Sequence, residues 1–262
     1  MRRWFAAGAL LVATPALAQG EPRFCVNRPS LVDTPCTVEP GHVLLEIGAV
    51  DWTLDRKARA REDTILVADA RARIGFADHA ELQLSWTAYG YDRLRTPGGV
   101  VNASGVGDVR VAVRRNLRHP DGSGFSFAAE PYVTMPAGGR AIGAGDWGYG
   151  LVVPVNYDLT DAVSLQVMGS VDAAVDADRS GRHLSYSGNW GLGYQLAEKW
   201  ITVAELQVVA DADPSARITQ SVAAVSLAFQ PRKTLQLDVL VGAGLNRDTP
   251  DLNLALGGAV LF

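Results

Sequence analysis

The sequence predicts an all-β protein: a transmembrane antiparallel up-and-down β-barrel of about twelve strands. Three observations predict this fold. Alternating polarity recurs along most of the chain, a short apolar segment at the N-terminus has the features of an export signal, and aromatic residues gather towards one end of the predicted strands. Beyond that segment the sequence has no run of about 18 apolar residues. Only helices and closed barrels satisfy the backbone in lipid, so a spanning protein with this sequence must be a barrel.

The N-terminal segment predicts a cleaved signal peptide over residues 1–18. Arg2 and Arg3 give a positive start, and Ala6 to Ala16 are almost wholly apolar. Ala16-Leu17-Ala18 fits the small-x-small pattern of a cleavage site. The apolar stretch is too short for a membrane anchor. The mature chain is therefore expected to leave the cytoplasm.

Residues 19–40 form a proline-rich periplasmic segment ahead of the first strand. Cys25 and Cys36 both lie in it and are the two cysteines of the chain. An oxidising compartment permits a disulfide between them. The segment could fold into the barrel as a plug or hang free, and the sequence leaves both possibilities open.

Residues 41–262 are expected to form the barrel, because apolar and polar side chains alternate with a period of two. Between Leu184 and Leu196, for example, leucine, tyrosine and tryptophan alternate with serine, asparagine, glycine and glutamine. Twelve is an even number, as expected of a single-chain bacterial barrel. The predicted strands are 42–53, 64–76, 80–92, 106–118, 124–136, 146–159, 162–176, 183–197, 200–211, 216–229, 234–246 and 250–262.

The connections between these strands predict which end of the barrel faces the periplasm. The tighter ones, near residues 77–79, 118–123, 160–161, 198–199 and 231–233, fall at one end. Longer loops at Asp55 to Asp63, Arg93 to Gly105, Ala137 to Gly145 and Ala177 to Arg182 fall at the other. Short periplasmic turns and longer outer loops are typical of this architecture.

Aromatic side chains on the apolar face predict a girdle at one membrane interface. Trp147, Tyr149 and Tyr186 mark the opposite rim more sparsely. A soluble sandwich or lipocalin-like barrel, the alternative fold, would bury such residues rather than arrange them in a belt. The predicted girdle comprises Phe76, Phe125, Phe127, Tyr157, Tyr194, Trp200, Phe229 and Phe262.

Charged residues on the opposite parity are expected to face the lumen, because a charge facing mid-bilayer lipid costs about 2 to 4 kcal/mol. They could pair across strands and seal the barrel, or they could line a conduction path. The predicted luminal charges are Asp69, Arg71, Arg73, Glu81, Asp108, Arg110, Arg114, Glu130, Asp172, Glu205 and Asp238.

No cofactor and no metal site is predicted, since the four histidines are scattered. A rim cluster of Asp172, Asp176, Asp178, Asp211 and Asp213 could hold calcium but is better explained as solvated loop charge. Gly143 to Gly148 match the GxGxxG fingerprint but should open a strand rather than a helix, which disfavours nucleotide binding. The formal net charge of -4 disfavours nucleic acid as a partner.

Three segments resemble a family of outer-membrane transporters grouped with a meta-pathway of phenol degradation. They are Gly105-Val106-Gly107-Asp108-Val109-Arg110, Glu130 to Gly138, and Gly145-Asp146-Trp147-Gly148-Tyr149. The resemblance implies a barrel fold and a role in transport. The last strand, with Phe262 at its end, also resembles the recognition signal of substrates of the barrel-assembly machinery.

The leading functional hypothesis is therefore a non-enzymatic outer-membrane channel for a small, hydrophobic or aromatic molecule. One alternative is a structural protein whose basic loop residues Arg56, Lys57, Arg59 and Arg61 contact lipopolysaccharide. Another is an outer-membrane hydrolase that uses His183 with Ser185 or Ser187. The alternation turns both serines inward, and no GxSxG motif occurs in the sequence, so the hydrolase is disfavoured.

Overall fold

The computed structural model describes residues 22–262, so the predicted signal peptide lies outside the described residues. Within this range the chain forms thirteen β-strands. Their bounds are β1 Val43–Lys57, β2 Ala60–Ala77, β3 Ala80–Thr96, β4 Gly99–Gly105, β5 Val109–Arg118, β6 Phe125–Met135, β7 Gly148–Asp158, β8 Val163–Val175, β9 Arg182–Ala197, β10 Trp200–Asp211, β11 Ile218–Arg232, β12 Leu235–Gly244 and β13 Leu252–Leu261. Across residues 22–262 no helix is both long and apolar enough to cross a membrane.

The strands form one closed antiparallel barrel. Consecutive strands other than β4 and β5 pair around the sheet, and β1 pairs with β13 from Leu44↔Leu261 to Leu54↔Leu252. Both β4 and β5 pair with β3, β4 along its second half and β5 along its first. β4 and β5 therefore occupy a single strand position in the barrel, with a break at residues 106–108. Counted in this way, the barrel has the predicted twelve strands.

Two of the predicted outer loops are wrong. The stretch Asp55 to Asp63 is a continuation of β1 and β2, which pair as far as Lys57↔Ala60. The stretch Arg93 to Gly105 is likewise the end of β3 followed by β4, paired as far as Thr96↔Gly99. The charge of both stretches predicts loops, but a hairpin that projects beyond the membrane keeps its hydrogen-bond ladder without an apolar face.

The remaining loops confirm that the longer and the shorter connections lie at opposite ends of the barrel. The longer connections, residues 136–147, 176–181, 212–217 and 245–251, all lie at one end, which the rule for these barrels makes the outer end. Connections at the opposite, periplasmic end are mostly short, such as Asp78 with His79 and Glu198 with Lys199.

Side-chain parity separates an apolar exterior from a polar interior. On β9 the odd-even alternation exposes Leu184, Tyr186, Trp190, Leu192 and Tyr194, each about half exposed. The fully buried side chains of the barrel include Arg73, Glu81, Arg114 and Glu130 instead. A soluble protein has the reverse arrangement, so the exposed apolar band is the surface that contacts lipid.

Candidate functional site

The eleven predicted luminal charges lie on the interior side of the barrel, where most of them hold other chain segments in place. Asp69 accepts a hydrogen bond from Thr87, and Asp172 accepts one from Tyr132. Asp108 lies in the break between β4 and β5 and accepts the N–H groups of Gly138 and Gly145, 2.9 and 3.0 Å away. The other eight form two groups, one on each side of the lumen.

The first group is a buried ion network on the wall formed by β2, β3, β5 and β6. Arg73 Nε lies 2.8 Å from Glu81 Oε1, and Arg114 Nη2 lies 2.7 Å from Glu130 Oε2. Arg110 approaches Glu130 within 3.0 Å. The side-chain amide of Gln83 donates to both Glu81 and Glu130, which joins the two pairs. Such a network stabilises only when every member is satisfied.

The N-terminal segment fills part of the lumen against this wall, and we call residues 22–42 the plug. Asp33 of the plug binds Arg71 at 3.0 Å and Arg114 at 2.7 Å. The N–H of Val38 donates to Glu81 at 2.7 Å. A disulfide joins Cys25 and Cys36, and the guanidinium of Arg73 donates to the carbonyl oxygens of both cysteines.

The opposite wall holds the plug with fewer contacts. Glu205 on β10 accepts the hydroxyl of Ser30 and the N–H groups of Leu31 and Val32, at 2.7 and 3.1 Å for the two N–H groups. Asp238 on β12 pairs with Arg28 at 3.3 Å. Glu205 and Asp238 therefore both contact the plug and help to hold it in the lumen.

Sequence reasoning missed several residues of this site. Glu46 is buried on β1 and accepts the N–H of Asn27 at 2.6 Å. Its parity matches the buried Leu44, so the alternation in β1 contained the signal. Asp33 and Arg28 lie outside any strand, and no period could have predicted their partners.

Three cavities follow one another along the lumen. The outermost, about 350 Å³, is lined by Leu31, Leu66, Val222 and Pro250 among others. It shares Leu31, Asp51 and Asn253 with a cavity of about 200 Å³. A third, about 250 Å³, lies towards the periplasmic end beside Gln230 and Gln236. The second and third cavities share plug residues Asn27–Ser30, which stand between them.

The loop 136–147 folds over the outer mouth. Ile142 packs against Gly90, where a Cβ would clash with the isoleucine side chain. Asp108 anchors this loop through the two N–H groups described above. The GxGxxG match of Gly143 to Gly148 lies in this loop and leads into β7 rather than a helix, so it lacks the context of a nucleotide site.

The predicted girdle residues lie towards the periplasmic end. Phe76, Phe125, Tyr157, Tyr194, Trp200 and Phe262 are exposed. Phe127 lies beside Phe125 with ring centroids 5.8 Å apart, and Phe229 stacks on Trp200 at 4.6 Å. Near the other rim, Trp147, Tyr149 and Tyr186 are exposed, as are Trp86 and Tyr89, which the sequence analysis did not single out.

The five aspartates predicted at the rim do not converge as a group. Asp172 accepts hydrogen bonds from the hydroxyl groups of Tyr132 and Ser170. Asp178 accepts the N–H of Ser180 within the exposed loop. Asp176, Asp211 and Asp213 instead surround His183. Hydrogen bonds from the hydroxyl and N–H of Ser215 lower the pKa of Asp213 to about 2, so this carboxylate is ionised at neutral pH.

A closed barrel with an apolar outer band, a charged interior and a luminal plug is an outer-membrane β-barrel. A family model described as "Putative MetA-pathway of phenol degradation" matches residues 26–262. The chain belongs to this family.

Solved structures with the same fold are distant in sequence. An outer-membrane channel from Pseudomonas putida F1 is 16% identical, with a TM-score of 0.62, and the match covers 84% of this chain and 94% of the channel. The NanC porin is 11% identical at a TM-score of 0.53, covering 84% and 99%. The β-domain of the Bordetella autotransporter BrkA is 13% identical at 0.54, covering 86% and 100%. A search of curated proteins found no match.

Proposed function

We propose that the protein is an outer-membrane channel for a small molecule with an apolar or aromatic part, gated by the plug. The observation that carries this proposal is the row of three cavities interrupted by Asn27–Ser30. Displacing these four residues would connect the outer mouth with the periplasmic end. The barrel wall itself need not change.

The lumen has a charged side and an apolar side. The ion network holds the plug. The cavity of about 200 Å³ is lined by Glu46, Asp69 and Arg71 as well as by Leu240 and Ala255, so charged residues of β1 and β2 face an apolar side of the lumen. Ala224, Leu240 and Ala255 pack there against Leu31 and Val222. A cavity of about 150 Å³ holds a benzene ring in a protein core, so cavities of about 200 to 350 Å³ admit a single-ring molecule.

Single-channel conductance in planar bilayers tests the gate. We expect the full chain to give small, infrequent openings and a variant lacking residues 22–40 to give the largest current. Glu205→Ala and Arg28→Ala each remove a contact between the plug and the cavity wall, so openings should become several-fold more frequent.

Asp172→Asn is the matched control for these variants. This residue is also an interior carboxylate, but its hydrogen bonds go to Tyr132 and Ser170 and not to the plug. Its openings should match those of the full chain. A plugless barrel that conducts no better than the full chain would refute the gate.

We also propose that the outer rim contacts lipopolysaccharide. Arg56, Arg61 and Arg95 stand directly opposite one another across β1, β2 and β3, and all three are exposed. Asp51 and Thr53 line the interior cavities, so alternation turns Arg56 outward. Arg61 pairs with Asp63 at 2.7 Å and Arg56 lies 3.4 Å from Asp251. Exposed ion pairs of this kind contribute little, so lipid A phosphates would compete for these outward guanidinium groups. Lys57 and Arg59 add charge at the same hairpin tip.

Lipopolysaccharide retention during purification tests this contact. The triple variant Arg56→Gln, Arg61→Gln, Arg95→Gln should copurify with less lipopolysaccharide than the full chain. Its control is Arg118→Gln, Lys199→Gln, Arg232→Gln, which removes three charges from the periplasmic end. Equal retention by both triple variants would exclude a specific site at the rim.

We further propose that residues 1–18 are removed on export and that Phe262 is read by the barrel-assembly machinery. Phe262 is 69% exposed, and its backbone exchanges hydrogen bonds with Val43 at the seam of the barrel. A mature N-terminus at Gln19, and weaker outer-membrane insertion of a Phe262→Ala variant, are the expected results.

The hydrolase alternative gains no support from the geometry. His183 lies on the interior side, its ring nitrogens facing Asp176 and Asp211, and Ser187 is hydrogen bonded to Ser170. A lipid-cleaving pair would need to face outward. We infer that the chain does not hydrolyse esters, and turnover of a chromogenic ester by the purified barrel would contradict this.

A further inference from the structure

The cluster around His183 ties together three neighbouring strands at the outer rim. Asp176 follows β8, His183 is the second residue of β9, and Asp211 ends β10 with Asp213 two residues later. The N–H of Ala177 donates to Asp213 at 2.7 Å, which links the β8–β9 loop to the β10–β11 loop. Backbone pairing of β8, β9 and β10 therefore holds the cluster in place.

Both ring nitrogens of His183 face carboxylates. Nδ1 lies 2.8 Å from Asp176 Oδ1 and 3.6 Å from Asp213 Oδ2, and Nε2 lies 2.8 Å from Asp211 Oδ1. Only 6% of the side chain is exposed. Nε2 is buried and, despite its short distance to Asp211, lacks a hydrogen bond of good geometry.

A neutral imidazole cannot satisfy this arrangement alone. It carries one N–H, so its other nitrogen directs a lone pair at a carboxylate. A second proton on the ring would remove that repulsion but would leave two net negative charges among the four side chains. A divalent cation beside the ring would satisfy the lone pair and neutralise more of the carboxylate charge.

We propose that Asp176, His183 and Asp213 bind a divalent transition-metal ion such as zinc. Their ligand atoms lie within 4.8 Å of one another. Tetrahedral ligands at zinc distances are separated by about 3.3 Å, and the two distances from Nδ1 lie on either side of this value. Solvent completes the coordination.

Asp211 has a separate role in this site. A histidine that binds metal through Nδ1 carries its proton on Nε2, and metal-bound histidines commonly donate that proton to a carboxylate. Asp211 Oδ1 is close enough to accept it, at 2.8 Å from Nε2, and a small rotation of the ring or the carboxylate would align this hydrogen bond when the metal binds. The single imidazole and the small number of oxygen ligands favour zinc over calcium, which takes six to eight oxygens.

Calorimetric titration of the folded protein, stripped with a chelator and refilled with zinc chloride, tests the proposal. We expect one saturable zinc site per chain. His183→Gln should weaken binding at least tenfold, and Asp211→Asn should weaken it about tenfold or more through the ring. The matched control is His119→Gln, an exposed histidine at the periplasmic end, which should bind zinc as the full chain does.

Two further measurements keep the test decisive. Zinc should raise the thermal midpoint of the full chain but not of His183→Gln, while calcium and magnesium at equal concentration should not. Asp213→Asn provides a second ligand variant if His183→Gln fails to form a heat-modifiable barrel. Absent zinc binding, zinc binding untouched by both ligand variants, or equal binding of calcium would each overturn the proposal.

Discussion

Neighbouring residues on one strand can differ greatly in what they contribute, and Arg114 and Arg115 show this most clearly. Arg114 is fully buried and binds Glu130, Asp33 and the carbonyl oxygen of Thr34. Arg115 points the opposite way and is exposed. The charge network therefore depends on parity, and not on the number of charges in the strand.

Arg114→Ala should lower the free energy of unfolding by about 3 to 5 kcal/mol, because it leaves two buried carboxylates with fewer cations. Arg115→Ala should change it by less than about 0.5 kcal/mol, as surface substitutions do. Denaturant titration of both variants in lipid measures the difference. Similar losses for the two would mean that the interior network contributes little.

The plug is the element whose stability governs the proposed gate. Its disulfide closes a loop of about a dozen residues, with a sequence separation of 11 between Cys25 and Cys36. Such a cross-link limits the freedom of the released segment and is worth about 3 kcal/mol in the chain-entropy description. The disulfide therefore favours the seated plug over the released one.

Replacing both cysteines with serine should speed hydrogen exchange at the N–H of Val32, which Glu205 protects. The expected increase is slightly above 100-fold, the equivalent of about 3 kcal/mol. Exchange at Val241 in β12 provides the internal control, because this residue faces the lipid and its strand does not depend on the plug disulfide. Unchanged exchange at Val32 would show that the wall contacts alone hold the plug.

The barrel as a whole is defined by which side chains contact lipid. Val225 lies at the middle of β11 and is 56% exposed, and Leu245 follows β12 at the outer end and is 58% exposed. Both are apolar and equally accessible, so they differ mainly in their depth in the bilayer.

Val225→Lys should cost about 2 to 4 kcal/mol of folding stability in lipid, whereas Leu245→Lys should cost about 0 to 1 kcal/mol. Refolding titrations into vesicles compare the two variants at the same charge. If the cost at Leu245 equals or exceeds that at Val225, the bilayer does not lie across the centre of the barrel.

Much of the barrel could be predicted from the sequence because parity is a local property. In the segment Leu184 to Leu196, lipid must contact the apolar set, and the polar set then faces inward whatever the rest of the chain does. The same rule turned Arg73 and Glu81 inward. The rule failed at Asp55 to Asp63 and at Arg93 to Gly105. There the paired strands continue beyond the bilayer, so their charged residues no longer distinguish a strand from a loop.

Tertiary structure alone decided where residues 22–42 lie and which residues hold them. Ser30 and Glu205 are 175 positions apart, and Arg28 and Asp238 are 210 apart. No periodic pattern relates such pairs, because they meet only in the folded barrel with the plug inside it. The histidine site has the same origin, since Asp176, His183 and Asp213 converge only when β8, β9 and β10 pair in register.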